Sequence, residues 1–371
     1  MGEASHMKKA SRIVFSVFIA ISMLYLVYFL PLPLYIFKPG IVEVIRPMVQ
    51  VKEGGTEDQG QFMLTTVSVR DATLFGYVAS LFDPYDELRL KSELLKPGES
   101  EQDYYHRQEV VMQTSQADAM TAAYERLKIP YRISNDGVVI MQVYPDMPAA
   151  ETLQAGDYIV KVGDSPITSR EDLFAALKGK AIGDTVSISY KRKNITRTKD
   201  VQLGILPNAD GTTPTKPEEQ RAGLGIVPAD VLSVKAESED KQVTIRAGEI
   251  GGPSAGLMFS LEIANRLLPE DITKGYRIAG TGTIDKSGAV GVIGGIKHKV
   301  IAADKAGAEI FFAPKDYTSP DGQVVPNYTD AVQRAKEIGT KMKIVPVGTM
   351  EEAMNYLASL PPKSASASAV R

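Results

Sequence analysis

The sequence predicts an α+β / α/β multidomain protein with an N-terminal transmembrane helix, a β-rich middle domain and a C-terminal α/β domain. Three observations carry this. An uncharged run from Ile13 to Leu30 follows Lys8, Lys9 and Arg12. Apolar and polar residues alternate in short turn-bounded segments between Ile129 and Leu206, the period of strands. Beyond Leu224, strand-like and helix-like segments take turns as far as Leu360, the order of an α/β fold.

Composition narrows the function. The 371 residues, 44% hydrophobic with a formal net charge of -3, suffice for two or three domains. No basic stripe is available to neutralise phosphates, so nucleic acid is not an expected partner. The chain has no cysteine, which excludes disulfides, thiolate nucleophiles and cysteine metal sites. Its three histidines, in unrelated contexts, supply no ligand spacing. No metal or cofactor is expected.

In chain order, residues 1–12 form a short N-terminus on the cytoplasmic side, of which 1–6 are either native or a cloning remnant ahead of Met7. Residues 13–37 read as an uncleaved anchor. At about 1.5 Å per residue the apolar run spans a bilayer, no small-x-small cleavage site follows it, and Tyr25, Tyr28 and Tyr35 suit the interface. The positive flank keeps the N-terminus inside and the remainder outside a bacterial cell membrane, as a single-pass protein. Residues 38–128 form a membrane-proximal region, with strands near Val42 and Gly60 and helices at 86–95 and 110–127. Its function is not legible. His106, among charged neighbours, reads as a solvated surface residue.

Residues 129–206 make the β-rich domain: a strand from Gly137, a short helix at Pro148, a turn and strand from Ala155, a helix capped by Ser169 through Leu177, and two closing strands. Residues 207–222 have the Pro/Gly/polar composition of a linker. Residues 223–361 form the α/β domain, and the Ser/Ala-rich tail 362–371 reads as disordered.

The chemistry concentrates between Glu249 and Gly307. Gly251-Gly252-Pro253-Ser254-Ala255-Gly256 opens a helix from Leu257 to Leu268 with an apolar stripe at Leu257, Leu261, Ala264 and Leu268. Ser254 thus stands beside the unpaired N–H groups and positive dipole end that an oxyanion needs. A second helix follows Ile293-Gly-Gly-Ile-Lys-His-Lys299. At about 100° per residue, Lys299 shares a small apolar face with Gly295, Ile296, Ala302, Ala303 and Ala306, whereas Lys297 falls near Asp304 as a solvated lysine. A desolvated lysine can be neutral near pH 7 and act as a base toward a hydroxyl. On pattern alone the serine turn also fits an ordinary helix start, and contact between Ser254 and Lys299 does not follow from spacing.

Together, Gly-Pro-Ser254-Ala-Gly, Thr281-Gly282, Gly288-x-Val290, Ile-Gly-Gly-x-Lys-x-Lys299 and Ala302-Ala-x-Lys-Ala-Gly resemble the proteolytic domain of Lon-type serine proteases. The resemblance implies Ser254 as nucleophile, Lys299 as dyad base and Thr281 as a residue that helps hold the lysine, with Gly252, Pro253 and Ala255 shaping the nucleophile turn. Gly251 and Thr283 stand where many family members carry acids. The family usually includes an ATPase module, but no Gly-x4-Gly-Lys-Ser/Thr run occurs here, so ATP-independent proteolysis is expected. A Ser254–His298 mechanism is weaker, because His298 lies about 100° from the Lys299 face.

The signature Pro148-Ala-Ala…Ala155-Gly-Asp-x-Ile resembles a bacterial PDZ domain. Such domains add an extended peptide to a sheet edge beside a helix, and the matching positions are Gly137, Val138 and Ile140 on the strand with Leu173 and Leu177 on the helix. Ser134-Asn135-Asp136, before that strand, lacks the usual apolar-glycine pattern. The resemblance implies an endopeptidase of protein or peptide substrates, unstructured or membrane-anchored, and a homo-oligomer. The competing expectation is a non-catalytic PDZ adaptor on a Lon-like assembly scaffold.

Overall fold

A computed structural model describes residues 3–52, 59–208, 212–248 and 250–363, with side chains from residue 12 onward. Glu249, residues 209–211 of the expected linker, and the 364–371 part of the expected tail lie outside the described residues.

The elements in chain order are α1 (Glu3–Phe29), β1 (Pro31–Val44), β2 (Val49–Val51), β3 (Gln61–Thr73), α2 (Leu74–Ser80), β4 (Glu87–Leu90) and α3 (Glu101–Leu127). Next come β5 (Tyr131–Val143), β6 (Tyr158–Val162), α4 (Arg170–Leu177), β7 (Thr185–Arg192), β8 (Ile195–Gln202), β9 (Ile226–Ala236) and β10 (Val243–Ile245). The chain finishes with α5 (Gly256–Leu267), β11 (Arg277–Gly280), α6 (Ile296–Lys305), β12 (Ile310–Pro314), α7 (Asn327–Glu337), β13 (Lys343–Val347) and α8 (Met350–Ser359). They fall into two compact units, one of residues up to 41 plus 66–94, the other of 42–65 plus 95–371. The chain passes between them within β1 and within β3.

In the first unit, α1 contains one apolar stretch of membrane-spanning length, Arg12–Phe29, none of it buried in protein. This apolar stretch of helix ends short of the expected 13–37 segment. Pro31 and Pro33 cannot donate helical hydrogen bonds and push their preceding residues to extended backbone, so the chain continues as β1. Tyr35 is therefore a buried strand residue under the Lys91 ammonium, 4.9 Å from its ring centroid, and not an interfacial aromatic. The helix expected at 86–95 is instead β4 and a 3-10 turn, because Leu34–Phe37 pair with Glu87–Leu90 in antiparallel register.

The second unit holds two sheets. Parallel strands β13, β12, β11 and the first residues of β3 lie side by side, with Gln61–Leu64 paired to Arg277–Gly280. The second sheet runs in the order β9-β5-β6-β7-β8 and closes over Val138, Ile140, Ile159, Leu173, Ile188 and Leu203. The region expected to be merely membrane-proximal supplies much of the C-terminal core: Ile45, Phe62, Leu64, Met112, Ala119 and Tyr124 pack with Leu257, Phe259, Leu261 and Phe312. Helix α5 is buried along Gly256–Asn265, not on one stripe, because α3 covers the side that a two-layer fold would leave wet. Similarly, β9, expected inside the C-terminal domain, completes the middle domain's sheet by pairing Ile226–Ala236 with Val143–Tyr131 of β5.

Candidate active site

The serine turn is a 3-10 helix, Pro253–Ala255, that feeds directly into α5. Gly252 precedes it with φ of 86°, a conformation that a side chain would strain. Its N–H donates to the Gln108 carbonyl of α3 at 3.0 Å. A Cβ on Gly251 would stand 3.0 Å from the Gln108 Cβ, which accounts for glycine where the family often carries an acid. Ser115 of α3, 3% exposed, donates its hydroxyl to the Pro253 carbonyl at 3.0 Å. The Ser254 carbonyl accepts from the Gly282 N–H at 2.8 Å and from Thr281 Oγ1 at 2.9 Å. The backbone on both sides of the Ser254 side chain is thereby fixed.

Helix α6 carries Lys299, 4% exposed, to this turn. Its Nζ lies 2.9 Å from Ser254 Oγ and donates to the Thr65 carbonyl of β3 at 2.7 Å. Burial alone lowers its pKa from 10.5 to about 7, since an ammonium loses solvation there and no carboxylate compensates. In the neutral amine, one N–H serves Thr65 and the lone pair faces the serine hydroxyl. Burial of the amine costs several kcal/mol, but Leu257, Met258, Phe259, Leu261 and Ile263 of α5 are all fully buried, each worth roughly 1.5–3 kcal/mol. The packing outweighs the lysine.

The expected pair, Ser254 and Lys299, thus meets, and Gly252, Pro253, Ala255 and Thr281 surround it. Thr281 differs in role: it binds the serine's backbone and not the lysine. Thr65 does the holding, a residue that no motif marks. Lys297 remains partly exposed, but its partner is Asp330 at 3.1 Å rather than Asp304, because α7 packs along α6. His298 is buried on the same helix. His106 is partly exposed, 3.1 Å from Glu109 Oε2.

The strand expected to line a peptide groove is paired on both sides. Gly137, Val138 and Ile140 lie on β5, which pairs with β9 on one edge and β6 on the other. Val138 and Ile140 are fully buried. No edge is left there for an added strand. β9 is one of the two outer strands, and a groove of about 320 Å³ runs beside α4, lined by Leu173, Phe174, Leu177, Leu224, Ile226 and Pro228. The apolar-glycine pattern missing before Gly137 occurs at Gly223-Leu224-Gly225-Ile226, which opens β9.

Comparison with known families adds two domain matches. The PDZ domain model matches residues 109–203, and the model for the Lon protease (S16) C-terminal proteolytic domain matches residues 222–358. The chain carries a Lon-type proteolytic domain and a PDZ domain. The Lon-type domain is of the serine peptidase class. The Lon protease of Malacoplasma penetrans is 30% identical over 150 residues, 38% of this chain and 18% of that protein. The Lon protease of Campylobacter concisus is 36% identical over 104 residues, 28% and 11% of the respective chains. Serine protease Do-like HtrA of Lactococcus lactis is 44% identical over 79 residues, 21% of this chain and 19% of that one. The matches therefore span a fifth or less of these relatives' lengths. A solved PDZ domain of an SdrC-like protein from Listeria monocytogenes is 31% identical, covers 26% of this chain and 92% of that chain, and has a TM-score of 0.21.

Proposed function

We propose that this protein is a membrane-anchored, extracytoplasmic serine endopeptidase that works without ATP through a Ser254–Lys299 dyad. The observation that carries the reading is the 2.9 Å approach of a buried, acid-free lysine amine to the serine hydroxyl. Ser254 Oγ attacks the scissile carbonyl carbon while its proton passes to Lys299 Nζ. The resulting oxyanion is held by N–H groups of the Pro253–Ala255 turn, at the positive end of α5. Collapse breaks the C–N bond, and the leaving amine takes the proton from Nζ. Water, deprotonated by Lys299 Nζ, then attacks the acyl carbon, the C–Oγ bond breaks, and Ser254 Oγ takes the proton back from Nζ.

The PDZ domain supplies substrate selection in place of an unfolding motor. An extended segment adds to the free edge of β9, with an apolar side chain between Leu177, Leu224 and Ile226. This suits unstructured or membrane-anchored protein substrates. The span Arg12–Phe29 holds the protein in a bacterial membrane with Lys8, Lys9 and Arg12 on the cytoplasmic side, and assembly as a homo-oligomer belongs to the same reading.

The test is degradation of an unfolded protein, without ATP, by the full chain in vesicles beside Ser254→Ala and Lys299→Ala. Activity in the parent and none in either variant supports the dyad. Equal activity in all three overturns it, and an inactive parent that still captures peptides favours the adaptor reading.

A further inference from the structure

In the first unit, α2 and the two residues after it present an apolar face that the fold leaves uncovered. Leu74, Phe75, Val78, Leu81 and Phe82 are all exposed, Phe82 by 84%. At about 100° per residue they fall within an arc of roughly 120°. The opposite face meets the protein: Ser80 is buried, and a Cβ on Gly76 would stand 3.1 Å from Ile36 Cδ1. The helix is held firmly enough to keep this face outward. Thr73 caps it by accepting from the Gly76 N–H at 3.1 Å, and Ser80 donates to the Tyr77 carbonyl at 2.8 Å.

What covers the face follows from its neighbour. Phe75 stacks on Tyr28 with ring centroids 4.7 Å apart, and Tyr28 lies in the last turn of the apolar span Arg12–Phe29. Eighteen residues at about 1.5 Å each rise roughly 27 Å, close to the hydrocarbon thickness of a bilayer. A tyrosine in the final turn therefore sits at the lipid–water boundary, where amphipathic aromatics concentrate. The stack places Phe75, and with it α2, at the same depth.

We propose that α2 and Leu81–Phe82 form a second membrane contact, an interfacial hook that lies in the bilayer surface beside the foot of the span. The proposal rests on the anchor reading above and extends it to a lipid-binding surface of its own. The occupant is the boundary between headgroups and acyl chains, not an anionic headgroup. Three nearby cations are already engaged, Lys38 with Asp86 at 2.7 Å, Arg89 with Glu87 at 2.7 Å, and Lys91 with Asp71, which leaves the single exposed Arg70 against five exposed apolar side chains. Insertion is thus driven by apolar burial, as for amphipathic helices that lie on membranes. Uncharged phosphatidylcholine is sufficient, and salt has little effect.

The chain contains no tryptophan, so a single introduced indole reports its own surroundings. The experiment reconstitutes the full chain into phosphatidylcholine vesicles with or without brominated acyl chains. The variants are Phe18→Trp within the span, Phe82→Trp on the hook, and Ile195→Trp on an exposed strand of the second unit. The expected result is blue-shifted emission and loss of intensity to bromolipid for Phe82→Trp as for Phe18→Trp, with Ile195→Trp unchanged. If Phe18→Trp is quenched but Phe82→Trp emits like Ile195→Trp, the hook is wrong and the anchor stands. Blue-shifted but unquenched Phe82→Trp emission means that protein covers the face, a second copy included, and also overturns the proposal. Unquenched Phe18→Trp removes the anchor and the hook with it.

Discussion

The carbonyl of Thr65 accepts a hydrogen bond from Lys299 Nζ at 2.7 Å. It aims the amine at Ser254 without supplying a charge, because a carbonyl orients a donor and leaves it desolvated. An aspartate in its place would hold the lysine protonated.

Activity should therefore follow the neutral amine. We expect kcat/KM to rise tenfold per pH unit below about 7 and to level off above it, matching the lowered Lys299 pKa. Lys299→Arg, charged at every accessible pH, should be inactive throughout. A pH-rate profile on an unfolded substrate checks both.

The same burial makes Lys299 a cost to the fold. Its ordinary pKa of 10.5 is lowered to about 7 on folding. Between those values the unfolded chain binds a proton that the folded one does not. Stability falls by about 1.4 kcal/mol for each pH unit down through this window and is constant below it. Lys299→Met, with similar volume and no charge, should unfold at higher denaturant concentration than the parent at pH 6, and the gap should narrow toward pH 10.

Glu262 on α5 titrates in the opposite sense. It is 1% exposed, and burial, opposed by Arg46 and Arg266, raises its pKa from 4.5 to about 7. The folded chain keeps a proton that the unfolded one releases, so the stability associated with this group is full below pH 4.5 and is lost as pH rises to about 7. Glu262→Gln should stabilise by about 3 kcal/mol at pH 8 and by little at pH 4, as read from urea midpoints at the two values.

Ser115 positions the nucleophile from outside any motif. Ser115→Ala removes one of the two donors to the Pro253 carbonyl, the Gly256 N–H remaining, at a cost of roughly 0.5–1.5 kcal/mol. With the turn held less firmly, kcat should drop up to roughly tenfold while KM holds. Retention of activity in Ser115→Thr would mark the hydroxyl as the cause.

In the groove, Leu177→Glu places a charge against apolar walls. Capture of an extended peptide should weaken roughly tenfold or more, since burial of a charge costs more than 1.4 kcal/mol. Cleavage of a short peptide that needs no groove should be unchanged. Isothermal titration and a fluorogenic assay separate the two.

The proteolytic site was legible wherever chemistry needs a local sequence. Ser254 was singled out by its turn only together with the family resemblance, and Lys299 also by the apolar face it shares on α6. Thr65 and Ser115 were not legible, because each contributes through a long-range contact that leaves no spacing to read. The strand pairing around Gly137 was hidden for a related reason. Leu173 and Leu177 line an apolar groove, but Gly137 lies within β5, which reads as an edge until β9, more than eighty residues later, pairs with it. Alternation reveals that a strand exists and which faces it has. It carries no information on which edge remains open.

The middle domain leaves the proteolytic fold at the end of α3 and returns through β9 to β10, so the site is stitched from both sides of an insertion. Residues 65, 115, 254 and 299 must all arrive before the serine has a base, and the hydrogen bond from Lys299 to Thr65 closes a loop of 234 positions. Such high contact order is slow to satisfy. A nascent chain that stops short of α6 holds Ser254 without the Lys299 amine, so on the proposed dyad it is not yet a peptidase.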